Sequence, residues 1–152
     1  MNDKANKAIS YFSEGKNCAQ SVLLVFSEDL DVDPTILESL SLGFGGGMGH
    51  LQKTCGAVTG AFMVISLLAA QLSDDKDVCA DISQKMIRDF HQEFISSHGS
   101  SDCIDLLACN LNTEEGQSFR REHGLSESVC NECIIDSIRL VERLKNKYER
   151  NY

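Results

Sequence analysis

The sequence contains one proline in 152 residues and few runs in which β-branched and polar residues alternate. Half-buried strands need that period-two alternation, so no sheet is expected. A basic surplus is also missing: 14 Lys and Arg stand against 23 Asp and Glu, for a net charge of −9. Nucleic-acid binding requires a basic face that neutralises phosphates, so no nucleic-acid partner is expected. An anionic membrane surface is disfavoured on the same ground. Long hydrophobic runs are lacking as well. The longest, Ala57 to Ala70, is interrupted by Thr59, Gly60 and Ser66. A membrane span takes about 20 predominantly apolar residues, so this run is expected to be a buried core helix without membrane insertion. The opening stretch MNDKANKAISYF lacks the apolar centre and small-residue cleavage site of a secretory signal. A cytoplasmic, reducing setting follows as the expectation.

Nucleotide-binding signatures are absent too, although GFGGGMGHLQKTCGAVTG, from Gly43 to Gly60, superficially invites them. A Walker A loop needs Gly-Lys-Ser/Thr, and Gln52 precedes Lys53-Thr54 here. The pattern G-x-G-x-x-G fails at Met48 or at His50, depending on the starting glycine. Both motifs follow a strand, whereas a helix precedes this loop. No Ser/His/Asp constellation is supported.

What is present reads as helix. Apolar residues recur at helical spacing over Asp3–Glu14, Cys18 to about Leu30, Pro34–Leu42, the run from Cys55, Asp75–Ser97, Asp102–Cys109, Thr113–Gly124 and Ser126 onward. Asn17, Thr54 and Thr113 are expected N-caps, and Pro34 stands at a favoured first-turn position. The expectation is an all-α, single-domain bundle of about six helices over residues 1–152, with the Gly-rich loop leading into a central apolar helix. A chain of this length needs neither disulfide nor metal merely to fold. Gly56 and Gly60, four apart, form a bare face for close packing, and a homodimer through such a face is one expectation.

Seven cysteines are the unusual content: Cys18, Cys55, Cys79, Cys103, Cys109, Cys130 and Cys133. The odd count in an unsecreted chain argues against a disulfide framework; metal binding, redox chemistry or burial remain. Five glycines between Gly43 and Gly49 exceed what a turn needs. They can bring bare N–H groups to whatever occupies the following helix start, so Gly45, Gly46, Gly47, Gly49 and Gly56 are candidate binding residues. Cys55 occupies that start, and Cys18 has the same setting behind Asn17. Helix-start N–H groups and the helix dipole favour a thiolate, which makes Cys55 the expected low-pKa thiol. Cys130-Asn131-Glu132-Cys133 is a C-x-x-C without a second half for zinc and without the βαβ setting of a thioredoxin-type motif. Cys133 falls on the apolar stripe of the last helix and reads as core; Cys130 is better placed to reach a site. Cys79 reads as core. His50 is the one histidine beside the loop, and a solvated position is expected for it.

The placement of these cysteines resembles the C_GCAxxG_C_C family of redox-active proteins. The CGAxxG motif stands here as Cys55-Gly56-Ala57-Val58-Thr59-Gly60, and the upstream Asn-Cys-Ala-Gln segment as Asn17-Cys18-Ala19-Gln20. A third shared cysteine resembles Cys103 in CIDLLACNL, and a fourth Cys130 in CNECIIDSIRLVERL. The resemblance implies a small α-helical protein with redox activity carried by Cys18, Cys55, Cys103 and Cys130. Some relatives carry selenocysteine, and a related domain of a multihaem cytochrome is linked with an iron–sulfur centre. Haem is not implied, because the chain has no C-x-x-C-H. The segment His50–Lys53 is bulkier than the family's run, and Cys79 and Cys133 are additions to its cysteine set.

Three functional classes follow. In the first, a thiol cluster exchanges disulfides or electrons with a redox partner, with Cys55 as nucleophile and Cys18 as its resolving thiol, which would make the chain an oxidoreductase. In the second, Cys18, Cys55, Cys103 and Cys130 hold an iron–sulfur cluster or zinc. In the third, the protein is an adaptor with inert cysteines.

Overall fold

A computed structural model describes residues 3–152; Met1 and Asn2, counted in the expected 1–152 domain, lie outside the described residues. The chain is all-α. Its helices are α1 (Asp3–Ser13), α2 (Cys18–Leu24), α3 (Ser27–Leu30), α4 (Pro34–Ser41), α5 (Gly56–Ala70), α6 (Lys76–His98), α7 (Cys103–Leu107), α8 (Glu114–Glu122) and α9 (Asn131–Glu149). One turn of π-helix, Ser126–Cys130, leads into α9. Nine α-helices among the described residues exceed the expected six or so. The second expected segment breaks at Val25–Phe26 into α2 and α3, and short pieces such as α7 count separately.

Helix α5 is the centre. It buries Ala57, Val58, Ala61, Val64, Ile65, Leu68 and Ala69, and packs against α2, α6 and α9. Its glycine face is used inside the chain: a β-carbon on Gly60 would lie 2.8 Å from the Ala19 carbonyl oxygen of α2. That face is therefore covered by α2 and does not present itself to a second copy. Ile82, Met86, Phe90 and Phe94 of α6 and Cys133, Ile134, Ile138, Val141 and Leu144 of α9 complete the core. Both helices follow the expected apolar spacing. Among the described residues, no helix is long and apolar enough to cross a membrane.

Caps fix where the cysteine-bearing elements begin. Asn17 closes a capping box on α2: its Oδ1 accepts from the Gln20 N–H at 2.8 Å, and Gln20 Oε1 accepts from the Asn17 N–H at 3.0 Å. Its Nδ2 donates to the carbonyls of Ser41 and Leu42, tying the start of α2 to the end of α4. Thr113 caps α8 by accepting from the Gly116 N–H. The expected cap at Thr54 does not form. Thr54 instead pairs with Asp102 in an isolated antiparallel bridge, and the N-cap of α5 is Cys55 itself, one residue later. Cys55 is thus at the helix boundary and not inside the first turn.

Candidate functional site

The bridge at Thr54 builds the site. The Cys55 N–H donates to the Ser101 carbonyl at 2.8 Å, and the Cys103 N–H donates to the Lys53 carbonyl at 2.7 Å. Two short extended segments thereby hold Cys55 and Cys103 side by side at the starts of α5 and α7.

The glycine loop forms the adjoining wall. Gly46, Gly47, Met48, Gly49 and His50 run consecutively at φ from 59° to 71°, all left-handed. Six-residue closures, Gly49 N–H to Gly43 O at 2.7 Å and Lys53 N–H to Gly47 O at 2.9 Å, complete a left-handed coil. Only glycine enters that region without steric cost, which accounts for a density of glycines that a turn would not need. Closeness requires them too. A β-carbon on Gly47 would lie 2.7 Å from Cβ of Cys103, and one on Gly46 would lie 2.8 Å from the His50 ring.

Loop, α2, α5, α7, the π-turn and α9 enclose a cavity of about 190 Å³ with a mainly apolar lining. Cys18, Cys55, Cys103, Cys130 and Cys133 all face it. Gly45, Gly46, Gly47 and Gly56 line it, whereas Gly49 is exposed on the outer side of the coil. His50 reaches the rim and is largely solvated. Cys109 lies outside it, packed with Leu107 and Leu111 beside Cys103. Cys79 is remote from the cavity and half-buried at the start of α6, where its thiol donates to the Ser73 carbonyl; it is not the core residue expected. All seven cysteines are free.

The thiols hold their protons tightly. Burial first, then repulsion from Cys55, pushes the Cys18 thiol up to about 12, against N–H bonds from Gly46 and Ala19. For Cys55 the largest cause is a hydrogen bond with Cys133, followed by burial, and together they raise it well above its ordinary value. The N–H groups of Ala57 and Val58 at the helix start pull the Cys55 thiol the other way, although its side chain makes no capping bond. They are outweighed, so the expected low-pKa thiolate at Cys55 is not what the fold makes. Burial and then Cys55 raise Cys103 to about 12, against a bond from Gln52. Burial and then Cys18, Cys55 and Cys103 raise Cys130 to about 12, with Arg120 pulling the other way. Each of these four sulfurs is within electrostatic reach of others in the set.

Three participants were not found by sequence reasoning. Gln52, noted only as the residue that spoils a Walker loop, is buried with its amide spent on the site. Its Nε2 donates to the Cys109 carbonyl at 2.9 Å and reaches the Cys103 sulfur at 3.9 Å, while Oε1 accepts from the Leu111 N–H at 2.9 Å. Arg120 faces the cavity from α8. Cys133 is in the core as expected, yet it lines the cavity and raises the Cys55 thiol there.

A sequence profile described as "putative redox-active protein (C_GCAxxG_C_C)" matches residues 16–144. The chain belongs to the C_GCAxxG_C_C family. An uncharacterized protein of Archaeoglobus fulgidus is 23% identical over 107 residues, 66% of this chain and 71% of its own length. No solved structure matches. The cavity thus gathers all four cysteines that the CGAxxG resemblance assigns, from four separate elements. Four thiols are the donor set that zinc and iron–sulfur clusters take. By chemistry the set fits such a group; by spacing, no three His, Cys, Asp or Glu side chains among the described residues stand together as metal ligands would.

Proposed function

We propose that this member of a redox-active family carries two electrons as a cysteine pair, Cys18 and Cys55, in the thiol-lined cavity. The observation that carries the reading is the contact between the two residues' surroundings: the Cys18 sulfur rests on Gly56, the residue after Cys55, and both thiols face one cavity. As a residue Cys18 is half-buried, whereas Cys55 is 9% exposed. In this reading the roles expected from sequence are exchanged. Cys18 attacks the disulfide of a partner, its proton leaves with the departing partner sulfur, and a mixed disulfide forms. Cys55 then attacks the Cys18 sulfur, its proton passes to the second partner sulfur, and the partner departs as a dithiol. The protein keeps the Cys18–Cys55 disulfide, and two electrons have moved to the partner. Rates of such steps follow thiolate fraction and access, so buried, proton-retaining thiols make the exchange slow until a partner docks.

One observation favours a second reading. Mutual repulsion among Cys18, Cys55, Cys103 and Cys130 opposes any thiolate form, and a thiophilic cation in the cavity would relieve it. In that reading these four residues, which do not stand at ligand spacing as they are, would have to draw together to hold zinc or an iron–sulfur cluster, which would supply structural charge or one-electron chemistry.

Anaerobic purification separates the readings. Iron and zinc are measured, the visible spectrum is recorded, and free thiols are titrated before and after reductant. A metal-free, colourless protein that gains two thiols on reduction supports the dithiol. A coloured, iron-bearing protein overturns it in favour of the cluster, and seven free thiols in both states leave only an adaptor.

A further inference from the structure

Cys133 is absent from the cysteine set that the resemblance carries, and its position on the apolar stripe of α9 suggested inert packing. Its surroundings say more. It is 1% exposed, it lines the same cavity as Cys18 and Cys55, and it is the neighbour that most raises the Cys55 thiol. Both residues belong to the main core cluster, whereas Cys103 belongs to a separate small one with Cys130 packed on it. Cys55 therefore has thiol neighbours on two elements: the half-buried Cys18 of α2, packed against the core cluster, and the sealed Cys133 of α9 within it.

Resting on the dithiol reading above, we infer that Cys133 is the resolving thiol of a second, internal step and that the oxidised protein stores its disulfide as Cys55–Cys133. In this step the Cys133 sulfur attacks the Cys55 sulfur of the Cys18–Cys55 bond. The Cys55–Cys133 bond forms, the Cys18–Cys55 bond breaks, and the proton of Cys133 passes to the released Cys18. No electron enters or leaves, so no further oxidant is needed. At 1% exposure Cys133 cannot be reached by a partner's sulfur, so its route to oxidation runs through Cys55. Two physical terms favour the product. A buried disulfide has no proton donor to satisfy and no charge to repel its neighbours. The released Cys18 regains the N–H groups of Gly46 and Ala19. The C-x-x-C spacing of Cys130 and Cys133 divides their roles, since Cys130 ends the π-turn half-buried while Cys133 turns into the core.

The test uses the metal-free, reduced full chain treated with oxidised glutathione. Aliquots are quenched in acid over time and alkylated with N-ethylmaleimide. They are then digested with trypsin plus a protease that cleaves after glutamate, and linked peptides are identified by mass spectrometry. Cleavage after Glu132 separates Cys130 from Cys133. A Cys18–Cys55 link that appears first and gives way to Cys55–Cys133 as the dominant product, with Cys18 alkylated, is the expected result. In Cys133→Ser and Cys133→Ala, the Cys18–Cys55 link is expected to persist as the end product. A stable Cys18–Cys55 link in the wild type with Cys133 alkylated overturns this inference and leaves the dithiol reading standing. A Cys130–Cys133 product also overturns it. Absence of any internal disulfide overturns both. The wild-type mapping decides even where the Cys133 variants fail to fold.

Discussion

The sulfur of Cys18 occupies the space in which a β-carbon of Gly56 would stand. The same β-carbon would also lie 2.9 Å from the Phe44 carbonyl oxygen and 3.1 Å from the Ala19 nitrogen, so backbone on two sides prevents an easy escape. Gly56→Ala is thus expected to overpack the α2–α5 contact, costing about 1–3 kcal/mol of stability in denaturant titration. It should also drive the Cys18 thiol outward and speed its alkylation. Gly60→Ala crowds α2 at Ala19 and Val22. It should lower stability in the same way without accelerating Cys18. Equal alkylation rates in the two variants would mean that Gly56 does not position the sulfur.

The thiols make stability fall in alkali. Folded-state values of about 12 for Cys18, Cys103 and Cys130 lie above the ordinary 9.0 of an unfolded thiol. Below about pH 9 both states keep these protons, and the contribution of the shifts is fully present. Between about 9 and 12 the unfolded chain loses protons that the folded chain retains, so stability is lost progressively as pH rises. Tyr148, raised to about 12 chiefly by burial and then by its bond to Asp89, acts in the same direction. Unfolding free energy measured against pH should therefore slope downward over that window, and Cys18→Ser should flatten the slope by one proton's share. A slope unchanged in Cys18→Ser would place that thiol at its ordinary value in the folded state.

Much of this architecture was legible in the sequence, because helices that bury one stripe announce their period. The stripes of α6 and α9 and the glycine face of α5 all lie where that period puts them. The site was legible only as residue types. Cys18 and Cys55 were visible as helix-start cysteines, but the balance between N–H groups and burial at each sulfur is a tertiary quantity. The Thr54–Asp102 bridge that seats Cys103 beside Cys55 joins two segments far apart in sequence and is too short to leave an alternation pattern. Gln52 was invisible for a similar reason. A buried amide is distinguished by its partners, and those of Gln52 lie at Cys109 and Leu111.

Gln52 yields the third prediction. Replacing it by leucine leaves the Leu111 N–H and the Cys109 carbonyl without the partners they now have. An unsatisfied buried polar group costs about 1–3 kcal/mol, so Gln52→Leu should lose at least that much in stability. Because the same amide reaches the Cys103 sulfur and favours its thiolate, losing it should push that thiol higher still and slow its alkylation. Gln52→Glu keeps the acceptor for Leu111 but loses the donor, and should fall between the wild type and leucine. Wild-type stability in Gln52→Leu would show that water replaces the amide.

The left-handed coil makes two neighbouring substitutions differ in sign. Met48 adopts φ 65° with a side chain, a conformation that costs an ordinary residue about 1–2 kcal/mol. Met48→Gly removes that strain and gives back about 0.4–1 kcal/mol through the greater freedom of the unfolded chain. The net effect should be neutral to modestly stabilising. Gly47→Ala runs the other way. At φ 71° the added methyl brings the same strain, and it also meets Cβ of Cys103 at 2.7 Å and the backbone of Gln52. Its stability should fall by more than the strain alone, and Cys103 should be displaced from the cavity wall. Urea titration of both variants, with alkylation mapping of Cys103, reads the two effects separately. If Gly47→Ala were as stable as Met48→Gly, the coil would have to unwind at little cost, and the close approach of loop to thiol would not be what selects glycine there.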